Sequence, residues 1–97
     1  MNPSYMFYLV CFDIVDNRKR YRVVKILKKY GSRVQKSVFE CPNLTEKQFL
    51  KMKHRIEGSI DATEDNVRYY YLSKDCIWKM EYSGLGEPPH AERFRMV

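Results

Sequence analysis

Residues 5–16 read YMFYLVCFDIVD, and eight apolar or aromatic side chains from Tyr5 to Phe12 run without a break into Asp13. An apolar run of this length, rich in aromatic and β-branched residues, predicts a strand covered on both faces. Asp13 falls where that strand runs out, and Ile14 and Val15 continue the apolar character behind it. A carboxylate between apolar neighbours is costly unless it is paired, solvated or metal-bound. Asp13 is therefore the first candidate for chemistry. Read alone, it could equally cap the strand end or hydrogen-bond its backbone.

Working outward, Asp16-Asn17 offers an N-cap and a helix is expected over Asn17 to Tyr30, closed by Gly31. Val23, Ile26, Leu27 and Tyr30 fall at i, i+3, i+4 and i+7, one stripe toward a core. Arg18, Arg22, Lys25 and Lys29 take the opposite face, and Arg20 lies in the first turn. RVQKSVFEC, Arg33 to Cys41, alternates imperfectly, which predicts a bend or bulge near Ser37 and two strands. Thr45 and Gln48 form a capping-box pattern ahead of a helical stripe of Phe49, Met52 and Ile56 ending at Gly58. The acidic loop DATEDN, Asp61 to Asn66, reads as a solvated turn without the spacing of a calcium loop. Strands are expected at Val67 to Ser73 and Cys76 to Tyr82, followed by a Gly- and Pro-containing tail. The order predicts an α+β fold, a ferredoxin-like βαββαβ sheet. The last strand is one too many for it and would extend an edge or cross to a partner chain. One domain over 1–82 and a tail over 83–97 follow.

Composition narrows the function. The chain has 97 residues and a net charge of +6, from eighteen Lys and Arg against twelve Asp and Glu. Between Asn17 and Phe39 stand nine basic residues and no acid. That block predicts a positive surface suited to phosphates or an acidic partner. A single domain of this size buries only about 60–65% of its unfolded surface. Eight Tyr, five Phe and one Trp leave apolar surface for a second copy to cover. Cys11, Cys41 and Cys76 have no CxxC spacing and read as reduced cysteines of a cytoplasmic protein. His54 and His90 lie far from them, which argues against zinc. No signal peptide or membrane span is expected. GxSxG, P-loop and GxGxxG motifs are missing, and the tyrosine-rich strand lacks an RNP pattern.

One carboxylate makes a poor Mg²⁺ site, but a two-fold dimer would bring two copies of Asp13 to its axis. A bridging cation there would relieve their repulsion and assist phosphodiester hydrolysis.

FDIVDNRKRYRVVKILKKYGSRVQKSVFEC, with TEKQFLKMK and NVRYYYLS, resembles the small CRISPR-associated protein two family over residues 5–82. The strand-end Asp and the QKSVFE segment carry the match. The resemblance implies a ferredoxin-like homodimer whose last strand packs on the partner chain. It also implies a role in CRISPR spacer acquisition, an antiviral defence, bridging two dimers of the CRISPR-associated integrase (protein one). Some members are Mg²⁺-dependent endonucleases on RNA or DNA, and others are DNA-binding scaffolds. By position, Asp13 corresponds to the catalytic, metal-site aspartate. Arg20, Arg22 and Arg33 correspond to basic residues tied to activity or nucleic-acid contact, joined here by Arg18 on the same basic helix. Phe39 corresponds to an aromatic beside the site, and Phe12 stands where many relatives have Tyr. A toxin-like ribonuclease of the same fold is a third, weaker reading.

Overall fold

The computed structural model describes residues 4–85. Seven elements follow one another: β1 (Met6–Asp13), α1 (Asn17–Lys28), β2 (Ser32–Gln35), β3 (Val38–Leu44), α2 (Glu46–Glu57), β4 (Asn66–Leu72) and α3 (Lys74–Trp78). The first six give the βαββαβ order, and the strands form one antiparallel sheet in the order β2-β3-β1-β4. This is the ferredoxin-like arrangement expected from the sequence. The expected tail lies outside the described residues beyond Leu85. No helix among the described residues is long and apolar enough to cross a membrane.

The local reasons are those of the sequence pattern. Asp16 caps α1, its carboxylate accepting from the Lys19 amide at 2.9 Å. Val23 and Leu27 of the predicted stripe are buried. Thr45 and Gln48 complete a reciprocal capping box on α2, whose Met52 and Ile56 are buried. Ser37 lies in the turn that divides β2 from β3, as the broken alternation predicted. Gly31 differs from expectation. Lys29 is the C-cap, and a Cβ on Gly31 would lie 2.0 Å from the Glu40 carbonyl oxygen, so glycine is required by close backbone approach.

Alternate residues of β1 divide the sheet into two faces. Val10 and Phe12 join Phe39, Cys41, Val23, Leu27, Met52 and Ile56 in the core under α1 and α2. Burial pushes the Cys41 thiol up to about 12, so it stays protonated. The other face carries Phe7, Leu9, Cys11 and Asp13. There a second, small cluster of Phe7 and Ile77, with Leu72 and Met80, covers the Phe7 end. Leu9 and Cys11 remain half-buried and Asp13 is exposed. The sequence implied cover on both faces, whereas among the described residues the second face is covered only at that end.

The expected strand Cys76 to Tyr82 is not formed. Ser73 caps α3 instead, its hydroxyl accepting from the Cys76 amide at 3.3 Å. Helical spacing turns Ile77 and Met80, three residues apart, toward Phe7 and Leu72, and leaves Trp78 63% exposed. No two-residue hairpin signal stands between Leu72 and Lys74 to return the chain onto β4.

Tyr69 carries a cost within this core. Its hydroxyl is buried without a hydrogen-bond partner, and its ring meets Phe49 edge-on at 5.6 Å. Burial first, and Glu57 second, push its pKa up to about 12. Because the folded value exceeds the unfolded one near 10, this group's contribution is intact below pH ~10 and is lost as pH rises toward ~12. Tyr69→Phe should be neutral or stabilising by up to about 1 kcal/mol at pH 7 and should flatten the alkaline loss of stability. Thermal melts from pH 7 to 11 measure both.

Candidate functional site

β1 delivers Asp13 to its last position, paired with Asn66 of β4. Its carboxylate is exposed on the sheet face away from α1 and α2, and no hydrogen bond or ion pair among the described residues engages it. Phe12, one residue earlier, points the opposite way and is buried. Its ring lies 6.3 Å from that of Phe39, which is fully buried. The two aromatics expected beside the site are therefore core residues behind the sheet. They hold the strand end in place rather than face a ligand.

The loop after Asp13 is fastened from two sides. Arg20 donates from Nε to the Ile14 carbonyl at 3.2 Å, from Nη2 to the Val15 carbonyl at 3.3 Å and from Nη1 to Asn17 Oδ1 at 2.8 Å. Its guanidinium thus serves to shape the loop. Asp65 holds the same loop through the opposite backbone polarity. Only 8% exposed, it accepts from the Val15 amide through Oδ1 and from the Asp61 amide through Oδ2, both at 2.9 Å. Sequence reading placed Asp65 in a solvated acidic turn, so its role as a latch between loops is a correction. Ala62, Thr63, Glu64 and Asn66 are the parts of that turn that do face water, and Asp61 is half-buried. The Thr63 hydroxyl and amide both donate to it and lower its pKa.

The four arginines divide by position. Arg33 donates from Nε to the Lys36 carbonyl at 3.0 Å, and from Nη2 to the same oxygen, so it secures the β2–β3 turn. Arg18 and Arg22 are exposed on α1 and line a shallow concavity with Asn17, Tyr21 and Lys25. The Lys25 ammonium lies 5.6 Å from the centre of the Tyr21 ring. Tyr21 and Lys25 were not among the expected site residues. The signal for them was an aromatic set between cations at helical spacing.

Asp13 meets the chemical demand of Mg²⁺ in part. It is a hard, exposed oxygen donor, and Mg²⁺ is commonly held by one or two carboxylates with water completing its shell. Among the described residues no three His, Cys, Asp or Glu side chains gather into a metal-binding group. Asp13 is thus not part of such a group among the described residues, and its carboxylate lies on an exposed sheet face.

Comparison with known proteins places this geometry in a family. The profile described as CRISPR associated protein Cas2 matches residues 6–80. A Synechocystis protein named CRISPR-associated endoribonuclease Cas2 3 is 37% identical over 82 residues, 84% of this chain and 86% of that protein. The crystal structure of Streptococcus pyogenes Cas2 is similar with a TM-score of 0.73 and 36% identity, covering 81% of this chain and all of that one. A chain of a partial Cas6-RT-Cas1–Cas2 complex is similar with a TM-score of 0.70 and 33% identity, covering 89% of this chain and 96% of that one. The chain belongs to the CRISPR-associated Cas2 family.

Proposed function

We propose that the chain is a homodimeric nucleic-acid-binding subunit of CRISPR spacer acquisition that cleaves phosphodiesters at Asp13 with Mg²⁺. The observation that carries this reading is an exposed carboxylate at the end of β1 that no hydrogen bond or ion pair engages among the described residues. Relatives named endoribonucleases support hydrolysis, and the neighbour solved with Cas1 supports an integrase partner. Trp78 and the half-buried Leu9 and Cys11 supply apolar surface for a second copy. Such a copy would bring a second Asp13 toward the first. Mg²⁺ bound between them would add positive charge at the scissile phosphate. The protein's own part is to hold Asp13 rigid through Arg20 and Asp65 and to steer the phosphate backbone along Arg18 and Arg22. Three free cysteines suit a cytoplasmic site of action.

A second reading, a scaffold that holds DNA while the integrase does the chemistry, is favoured by one observation. Arg20 and Arg33 each commit guanidinium donors to the protein's own oxygen atoms, which gives both a structural task in place of a substrate contact. Both readings need the basic face of α1. If it neutralises about four phosphates, log K should fall with log salt at a slope near −3.6. Arg18→Ala with Arg22→Ala should flatten that slope by about two and weaken all sequences alike. Fluorescence anisotropy from 50 to 300 mM salt measures both. A flat salt dependence in the wild type would remove the phosphate-contact argument.

A further inference from the structure

Asn66 is the first residue of β4 and pairs directly with Asp13, the last residue of β1. Paired residues of an antiparallel ladder share a face, with Cβ atoms about 4.5–5.5 Å apart. Both are exposed, and among the described residues no hydrogen bond or ion pair engages either side chain. The two strand ends are also locked together from the loop side. Asp65, the residue before Asn66, is nearly buried and accepts from the amide of Val15, two residues after Asp13. Arg68, next on this face of β4, donates to the Tyr70 hydroxyl at 3.4 Å, away from the Asn66 end. Asn66 therefore sets a neutral amide beside the Asp13 carboxylate, across a pair of strands whose separation is fixed.

We propose that Asn66 supplies a second protein oxygen to the Mg²⁺ held by Asp13. This rests on the reading of Asp13 as a metal ligand and adds a residue to that site. Mg²⁺ takes hard oxygen donors at about 2.0–2.1 Å in octahedral geometry, so adjacent ligand oxygens stand about 3 Å apart. Two short side chains on a direct cross-strand pair can reach that separation without moving the backbone. The amide carbonyl of Asn is such a donor. Being neutral, it adds no repulsion to Asp13, whereas a second carboxylate at this position would repel it whenever the metal is absent. If two copies of the chain meet at Asp13, two carboxylates and two amides face one ion. The remaining octahedral positions are then left to water and phosphate, which hydrolysis requires.

The test is titration of the full chain with Mn²⁺, which suits the same oxygen ligands as Mg²⁺, without nucleic acid. Electron paramagnetic resonance reads the free ion, and added Mg²⁺ should displace the bound one. Asn66→Ala should weaken binding by at least about tenfold, while its Tm in metal-free buffer stays within about 3 °C of wild type. Asn66→Asp should bind the ion at least as tightly as wild type, yet melt lower than wild type when the metal is removed. That variant separates a metal ligand from an amide that only donates a hydrogen bond to Asp13, because the new carboxylate can ligate but not donate. Binding by Asn66→Asp as weak as that by Asn66→Ala would overturn the ligand role. Unchanged affinity in Asn66→Ala, with binding lost in Asp13→Asn, would overturn Asn66 and leave the Asp13 site standing. A wild type that binds neither ion would overturn the Asp13 reading and this inference with it.

Discussion

Asp65→Ala should destabilise the protein by about 3 kcal/mol, more than any surface substitution considered above. Asp65 is nearly buried and its two carboxylate oxygens each satisfy a backbone amide, Val15 in the loop after β1 and Asp61 in the loop before β4. Truncation orphans both donors, at about 1–3 kcal/mol each, and also opens the latch between two loops fifty residues apart in sequence. For a chain of 97 residues the loss corresponds to a fall in Tm of roughly 15 °C. Asp65→Asn retains one carbonyl acceptor and should lose about half as much. Thermal unfolding followed by circular dichroism measures both variants. Hydrogen exchange should show the Val15 amide, protected in the wild type, exchanging fast in Asp65→Ala. A fall of less than a few degrees would mean that water replaces the carboxylate at little cost and that the loop is held by Arg20 alone.

The parts legible in the sequence were those written in short-range periodicity. The apolar run of β1 and the two helical stripes record burial directly, the Thr45–Gln48 capping box marks a helix start, and the order of the elements joined them into the right sheet. Asp13 was legible for the same reason, as a charge where an apolar run stops. Asp65 was not. Within DATEDN it has the same chemistry as Asp61 and Glu64, and only the fold brings the Val15 amide to it. The family resemblance ties Arg20 and Arg33 to activity or nucleic-acid contact, and a basic run does not show that both also meet carbonyl oxygens. Their partners lie in loops and turns whose geometry no spacing rule describes. The misread segment after Ser73 was open to correction. CIWKMEY alternates like a strand, but Ser73 three residues before Cys76 is an N-cap signal, and Ile77 and Met80 already stand at helical spacing.

Asp13→Asn carries the largest expected effect on activity. Asp13 makes no hydrogen bond or ion pair among the described residues, so the substitution should change stability by no more than about 0.5 kcal/mol. Two chains in a dimer would each lose the carboxylate that the end of β1 offers to Mg²⁺. Loss of a metal ligand should exceed the roughly 10–100-fold cost of losing an outer-shell partner. Nucleic-acid affinity should stay within about twofold, because Arg18 and Arg22 on α1 are untouched. The deciding measurement is Mg²⁺-dependent cleavage of single-stranded RNA and duplex DNA by wild type and Asp13→Asn, purified identically, with sedimentation confirming an intact dimer in both. The account predicts cleavage by the wild type that vanishes on chelation and falls at least about 100-fold in Asp13→Asn. Cleavage that persists undiminished in Asp13→Asn, or a wild type inert across metals and pH yet competent for integration, would contradict it.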